Sequence, residues 1–474
     1  MKRRSWLHLL SGLVLRHGWP LLLLPLAACA TLPDVSYLRD EELIPRNRPQ
    51  IADGQGTLPA GKSQALLSRL KAQVDPTAIL TRHIKAEEAI SNKPLVAGNK
   101  VTLLDDGPQT MRAMLAAIRE ARRHIHLETY IFEDDEVGRA LADLLIRKHA
   151  EGVQVSVIYD SVGTLDTPRE FFERLRAAGI GLLEFNPVNP MRAHDDWEIN
   201  QRDHRKILIV DGRIAFTGGV NISRVYGKSA LLGSKSGKPP KDPKQAVWRD
   251  THMQIEGPAV GEIQKLFLET WRLKTGTALP DADFFPPLKP QGQALVRAIG
   301  SIAEKEDYTI YKTYISAFAN ASNYIHLTTA YFSPDRQVVD ALIDAAHRGV
   351  DVQIVFPSFS DNSFMVYASR SYYQELLDAG IRVYERQGAM LHAKTAVIDD
   401  VWSTIGSTNI DIRSFLHNDE VNAVVLDIGF ARQMEALFQR DVRESVEVSR
   451  ERWAQRGVTE RLREWGVRMF NYWL

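Results

Sequence analysis

The feature that most constrains this chain is that it repeats itself at a spacing of about 200 residues. "RRHIHLETYIF" from residue 122 is echoed by "SNYIHLTTAYF" from 322, "GVQVSVIYD" from 152 by "GVDVQIVFP" from 349, and "RAAGIGLLEF" from 176 by "LDAGIRVYER" from 377. Runs such as "VQVSVIY" alternate with helical patterns such as "GRALADLLIRKHAEG", so each copy reads strand, helix, strand, helix, strand. That alternation requires an α/β sheet with helices on its faces, and its duplication requires two fused copies. The proline-rich "LPDADFFPPLKPQG", residues 279 to 292, is the natural joint, because its prolines stop both helix and strand. The expected organisation is a cleavable leader at 1–28, a stalk and helix at 29–92, one α/β domain at 93–290, a second at 291–445, and an amphipathic helix at 446–474.

Each copy carries one motif of chemical interest. "HRKILIVDGRIAFTGGVN" (204 to 221) and "HAKTAVIDDVWSTIGSTN" (392 to 409) both fit H-x-K-x4-D-x6-G-[GS]-x-N without a gap. On a strand, positions i and i+2 share a face, so His204 points with Lys206 and His392 with Lys394. A two-residue turn at Asp211-Gly212, and at Asp399-Asp400 in the second copy, would set His204 opposite Gly219 and Lys206 opposite Thr217. Asn221 then falls just beyond His204, and Asn409 beside His392. Two such hairpins packed face to face would make one site with two imidazoles, two ammonium groups and two carboxamides.

That set suits a phosphodiester. Lys206, Lys394, Asn221 and Asn409 can hold non-bridging oxygens and stabilise transition-state charge. One imidazole can attack phosphorus while the other protonates the leaving oxygen. The lysines supply the cationic clamp, so the chemistry demands no metal and no cofactor. Orienting carboxylates for the histidines follow each motif, Asp250 in "WRDTHMQIEG" and Glu420 in "HNDEVNAVV". Asp211 and Asp399 sit at hairpin turns, where aspartate serves local structure, and are assigned structural support within the motif. His124, His126 and His326 read as strand packing, with a support role open because His126 and His326 match in the repeat.

The doubled motif resembles the phospholipase D superfamily over about residues 95 to 445, and "WRDTHMQIEGPAV" with "LHAKTAVIDDVWSTIGSTNIDIRSFLHNDEVNAVV" is similar to bacterial cardiolipin synthases. The resemblance implies two phospholipase D-like domains, each a central mixed β-sheet flanked by helices, related by pseudo-twofold symmetry. It implies a covalent phosphatidyl-histidine, with the first motif's His204 as nucleophile, resolved by an alcohol or by water. In cardiolipin synthases the alcohol is a glycerol hydroxyl of phosphatidylglycerol. Hydrolysis to phosphatidic acid shares every one of these residues, and a nuclease or other phosphodiesterase is the more distant alternative.

Charge and cysteine usage bound the partners. Lys plus Arg and Asp plus Glu are 59 each, so no global field draws a polyanion, and nucleic acid is disfavoured. The only cysteine, Cys29, ends "LAAC" after a basic start and a short apolar run, which resembles a bacterial lipoprotein signal and makes Cys29 the expected lipidation site. The expected location is the cell envelope, facing the periplasm, with the outer membrane favoured over the inner because Ala30 follows the cysteine. An anionic phospholipid substrate and a membrane surface are the expected partners; the sequence names no protein partner. The lysine-rich loop from Gly227 to Val247 is either a headgroup contact or a solvated loop. The tail places Leu462, Trp465, Met469 and Trp473 on one helical stripe, expected to pack on the protein.

Overall fold

A computed structural model describes residues 31–39, 51–71, 77–90, 93–189, 191, 198, 200–228 and 246–470. Cys29, most of the lysine-rich loop and Trp473 lie outside them. In the first half the strands lie side by side in the order Leu95–Leu104, His252–Glu256, Ile214–Gly218, Ile207–Val210, His124–Thr129, Gln154–Asp160 and Gly181–Phe185. The last three are parallel and the others antiparallel, a mixed sheet. In the second half Ala294–Ser301, Asn418–Leu426, Trp402–Gly406, Thr395–Ile398, Tyr324–Thr328, Asp351–Pro357 and Arg382–Arg386 repeat that order and those directions. The two sheets join through their first strands, where Val296 pairs antiparallel with Val96. Residues 276 to 293 contain no helix or strand.

The repeat reaches down to single caps. Asp135 accepts from the amides of Val137 and Gly138 to start helix Glu136–Ala150, and Asp335, 200 residues later, accepts from Val338 to start Arg336–His347. Each helix then lays a leucine and alanine stripe on its sheet, Leu141, Ala142 and Leu145 in one, Ala341, Leu342 and Ala345 in the other. The sheet histidines pack in aromatic surroundings. His126 stacks on Phe267 with ring centroids 4.4 Å apart, and His326 on Phe438 at 4.5 Å.

Three features depart from the sequence reading. Asp211 and Gly212 both take left-handed φ, and Arg213 N donates to Val210 O at 3.0 Å, so the tight turn forms where expected. One more residue intervenes before pairing resumes, however, and Val210 faces Ile214. Ile207 therefore takes the place opposite Thr217 that the two-residue count gave to Lys206, and the second hairpin shifts the same way, with Thr395 opposite Ile405. The cause is the aspartate side chain. Asp211 accepts from the amides of Arg122, Arg123 and His124 at 2.8 to 3.0 Å, and Asp399 from Ser322, Asn323 and Tyr324 at 2.7 to 3.1 Å. Each turn is bent to tie the hairpin to the start of the neighbouring strand.

The second departure is at the N-terminal side, where the described helix Thr77–Ile90 is part of the body rather than of a stalk. Ile79, Leu80 and Ile84 enter the second half's core, His83 Nε2 lies 3.2 Å from Asp399, and Glu87 accepts from Trp402 Nε1 at 2.8 Å and pairs with Arg297. The third is the tail. It forms a strand, Ser445–Glu447, then two helices, Arg450–Ala454 and Val458–Arg468, instead of one, and its apolar stripe faces outward.

Candidate active site

The two halves meet through two short parallel pairings, and these build the site. Arg202 and Asp203, just before His204, pair with Asn418 and Asp419, just before Glu420. Trp248 and Arg249, just before Asp250, pair with Met390 and Leu391, just before His392. His204 N donates to Asp419 O at 2.9 Å and His392 N to Arg249 O at 2.8 Å, so the two joints have the same geometry. Each joint sets one half's histidine beside the other half's carboxylate. His204 Nδ1 lies 3.0 Å from Glu420 Oε1, and His392 Nδ1 lies 2.7 Å from Asp250 Oδ2. The orienting carboxylates are thus exchanged between the halves.

Both imidazoles line one cavity of about 270 Å³, together with Asn221, Asn409, Tyr130, Trp248 and Arg413. Their Nδ1 atoms are engaged by carboxylates, which leaves Nε2 of each ring for chemistry. Lys206 Nζ donates to the carbonyl of His204, and Lys394 Nζ to that of His392, so each ammonium is held against its own motif. Asn221 Oδ1 accepts from Ile131 N, and its Nδ2 donates to the Tyr226 hydroxyl, which lies 3.3 Å from His392 Nδ1. Asn409 Oδ1 is buried without a hydrogen-bond partner among the described residues. Asp211 and Asp399 stand at the far ends of the motif strands, on the backbone amides described above.

The Gly/Ser difference between the motifs follows from the carboxylates. A side chain at Gly219 would put Cβ 2.1 Å from Asp250 Oδ1, so only glycine fits beneath Asp250. At the equivalent place in the second motif, the Ser407 hydroxyl donates to Glu420 Oε2, and Asn418 Nδ2 donates to Oε1 at 3.2 Å. Tyr226, Ser407, Asn418, Tyr130, Trp248 and Arg413 escape a reading of the motif by itself. The signal for Asn418, Ser407 and Trp248 is their place within the quoted "HNDE", "GSTN" and "WRDT", beside residues already singled out.

Burial dominates the electrostatics. It drives the His204 imidazole well below its ordinary value, and the two lysines push the same way. His392 is lowered by burial and Lys394, while Asp250 pulls it back up. Burial opposes ionisation of Asp250, but His392 and Lys394 outweigh it and hold this carboxyl below the usual range. Glu420 is pushed up to about 7 by burial against the pull of Lys206. Lys206 is lowered to about 7 and Lys394 to about 8, again chiefly by burial. The His204–Glu420 pair is the less ionised of the two.

Comparison with known proteins identifies the family. The family model described as "Cardiolipin synthase, PLD-like domain" matches residues 114–226 and 314–442, one stretch in each half. "Cardiolipin synthase 2" of Bacillus anthracis is 36% identical over 371 residues, which is 78% of this chain and 69% of the relative. "Major cardiolipin synthase ClsA" of Bacillus subtilis (strain 168) is 37% identical over 372 residues, 77% of this chain and 73% of the relative. The crystal structure of phosphatidylserine synthase from Haemophilus influenzae Rd KW20 shares the fold, with a TM-score of 0.64 at 14% identity over 83% of this chain and 100% of that one. With two motif copies joined into one cavity and relatives of this similarity along most of its length, the chain belongs to the phospholipase D-like family of cardiolipin synthase type.

Proposed function

We propose that this enzyme transfers a phosphatidyl group from one phosphatidylglycerol to a glycerol hydroxyl of a second, through a phosphatidyl-histidine on His204. The observation that carries the reading is the pair of exchanged histidine–carboxylate contacts on one cavity lined by both asparagines, with Lys206 and Lys394 held against the carbonyls of the two histidines. With Glu420 ionised, its carboxylate accepts a hydrogen bond from Nδ1–H of His204 and fixes the tautomer whose Nε2 lone pair can attack phosphorus. As the P–N bond forms, the bond to the departing glycerol oxygen breaks, and Nε2–H of His392 protonates that oxygen. Neutral His392 then takes the proton of the incoming hydroxyl, whose oxygen attacks phosphorus and releases His204. Lys206, Lys394, Asn221 and Asn409 bind the non-bridging oxygens throughout.

The difference between the two pairs supports this division of roles. His204 is held neutral beside a carboxyl near 7, as a nucleophile needs, whereas His392, lowered by burial and Lys394, faces a carboxylate kept ionised that pulls it back toward the protonated form of an acid. Purified protein incubated with phosphatidylglycerol bilayers should yield cardiolipin and glycerol. Phosphatidic acid as the main product would make it a hydrolase with the same machinery. We also propose attachment to the envelope through a lipid on Cys29, on the strength of the "LAAC" sequence. Among the described residues no helix is long and apolar enough to cross a membrane.

A further inference from the structure

Helix Val458–Arg468 rests on helix Ser363–Asp378 with its polar side inward. Glu464, only 4% exposed, accepts from Arg456 Nε at 3.0 Å. The Arg468 guanidinium sits 4.5 Å from the centre of the Tyr372 ring, and Arg463 lies at 6.0 Å from that of Tyr367. The opposite side carries Val458, Leu462, Trp465 and Met469, spaced four, three and four apart, a single helical stripe. These side chains are 72, 60, 63 and 60% exposed, and Phe470 follows at 60%. A surface helix ordinarily buries such a stripe, so this one is mounted the other way round.

The helix that supports the stripe starts at the mouth of the site. Asn362 and Met365, at the start of the supporting helix, line the catalytic cavity, and Phe364 between them is 62% exposed. Tyr367 follows within a turn, and its hydroxyl lies 3.4 Å from Arg463. The apolar surface is bordered by net positive charge, since residues 450 to 468 hold six arginines against three glutamates, with Arg450, Arg456 and Arg468 paired to Asp378, Glu464 and Glu375. In a symmetric contact with a second copy this arginine-rich surface would meet itself. An anionic lipid surface complements both the charge and the stripe.

We propose that helix Val458–Arg468 is an interfacial docking element for a bilayer containing anionic phospholipid. Leu462, Trp465 and Met469 enter the boundary between headgroups and acyl chains, the arginines lie among the headgroups, and the cavity mouth is brought to the level of the lipid phosphodiesters. The identity of the lipid rests on the phosphatidyl-transfer reading; the docking itself does not.

The first test uses full-length protein bound to phosphatidylglycerol vesicles whose acyl chains are brominated, with tryptophan fluorescence as the readout. Trp465→Phe should remove part of the quenched emission relative to the wild type. Equal quenching of the two proteins would overturn the proposal, as would loss of self-association in Leu462→Glu protein without lipid. The second test is kinetic. Leu462→Glu with Trp465→Glu should lower turnover on phosphatidylglycerol vesicles by about 10-fold or more, the scale of two large apolar side chains withdrawn from the interface, while cleavage of a soluble nitrophenyl phosphodiester stays unchanged. Equal turnover on vesicles would also overturn it. A protein that is quenched through Trp465 yet acts on neither substrate would retain the docking helix and refute the phosphatidyl-transfer reading instead.

Discussion

Glu420 lies 3.0 Å from the ring nitrogen of His204 although 216 residues separate them, because Asn418 and Asp419 pair in parallel with Arg202 and Asp203. Its counterpart, Asp250 on His392 at 2.7 Å, is set by the matching pairing at Trp248 and Arg249. Neither half therefore contains a complete histidine–carboxylate pair. The active unit is the joined molecule.

Replacing a carboxylate should damage the histidine of the opposite half. Glu420→Gln keeps an acceptor for Nδ1–H but removes the charge, and should slow turnover about 10- to 100-fold, the scale of a hydrogen bond to a charged group. Asp250→Asn should do likewise at the protonation step. The distinction lies in the substrate: with a nitrophenyl leaving group, which needs no proton, the Asp250→Asn defect in formation of the covalent adduct should shrink and the Glu420→Gln defect should not. Equal defects on both substrates would contradict the exchanged roles.

The pH profile follows from the burial of the same groups. Glu420, near 7, must lose its proton to orient His204, so kcat/KM should rise as pH increases through about 7. Lys206, near 7, and Lys394, near 8, must keep theirs to bind the phosphodiester, and His392, which burial and Lys394 lower, must keep its own to act as the acid, so the rate should fall as pH rises through the same range. The result is a narrow bell. With a nitrophenyl substrate, which needs no acid, Lys206→Arg should lower the maximum but move the alkaline limb up toward Lys394, since a guanidinium stays protonated throughout this range. An unmoved alkaline limb in that variant would remove Lys206 from the clamp.

The aspartates of the two motifs should behave as structural residues. Asp399→Ala strips the acceptor from three backbone amides and from His83, and each buried donor left without a partner costs about 1–3 kcal/mol. Thermal unfolding should drop by many degrees, and Asp211→Ala should lose less because no histidine side chain among the described residues bonds to it. A variant of either that is as stable as the wild type yet inactive would make these carboxylates part of the chemistry instead.

Much of this was legible in the chain because the repeat keeps every strand and helix in the same order. His204, His392 and both asparagines line one cavity, with Lys206 and Lys394 on the histidine carbonyls beside it. The exchange of Asp250 and Glu420 was not legible, since a two-residue parallel pairing between distant segments leaves no periodic pattern. The hairpin register was missed by one residue because Asp211 and Asp399 turn back to bind the neighbouring strand, a contact that local turn rules do not contain. His83 and Glu87 carry no motif at all; only the packed helix shows that they brace Asp399, Arg297 and Trp402. The tail's stripe was visible, but which side faced the protein depended on the tyrosines and buried Glu464 beneath it.

Cys29→Ser should abolish lipid attachment and processing while leaving the α/β halves folded. Mass spectrometry of the mature N-terminus provides the check. A wild-type chain that retains residues 1 to 28 with an unmodified Cys29 would show that the segment is not a lipoprotein signal.

In the proposed reaction His204 carries the phosphatidyl group and His392 moves the proton. Acid-quenching the enzyme during turnover of a nitrophenyl phosphodiester, digesting it and mapping the phosphorylated peptide tests this directly. His204→Ala and His392→Ala should each cost on the order of 10³-fold or more with phosphatidylglycerol. With the nitrophenyl substrate, the wild type and His392→Ala should both yield an adduct on the peptide containing His204, and His204→Ala should yield none. An adduct on the peptide containing His392, formed by the His204→Ala enzyme, would contradict the assignment.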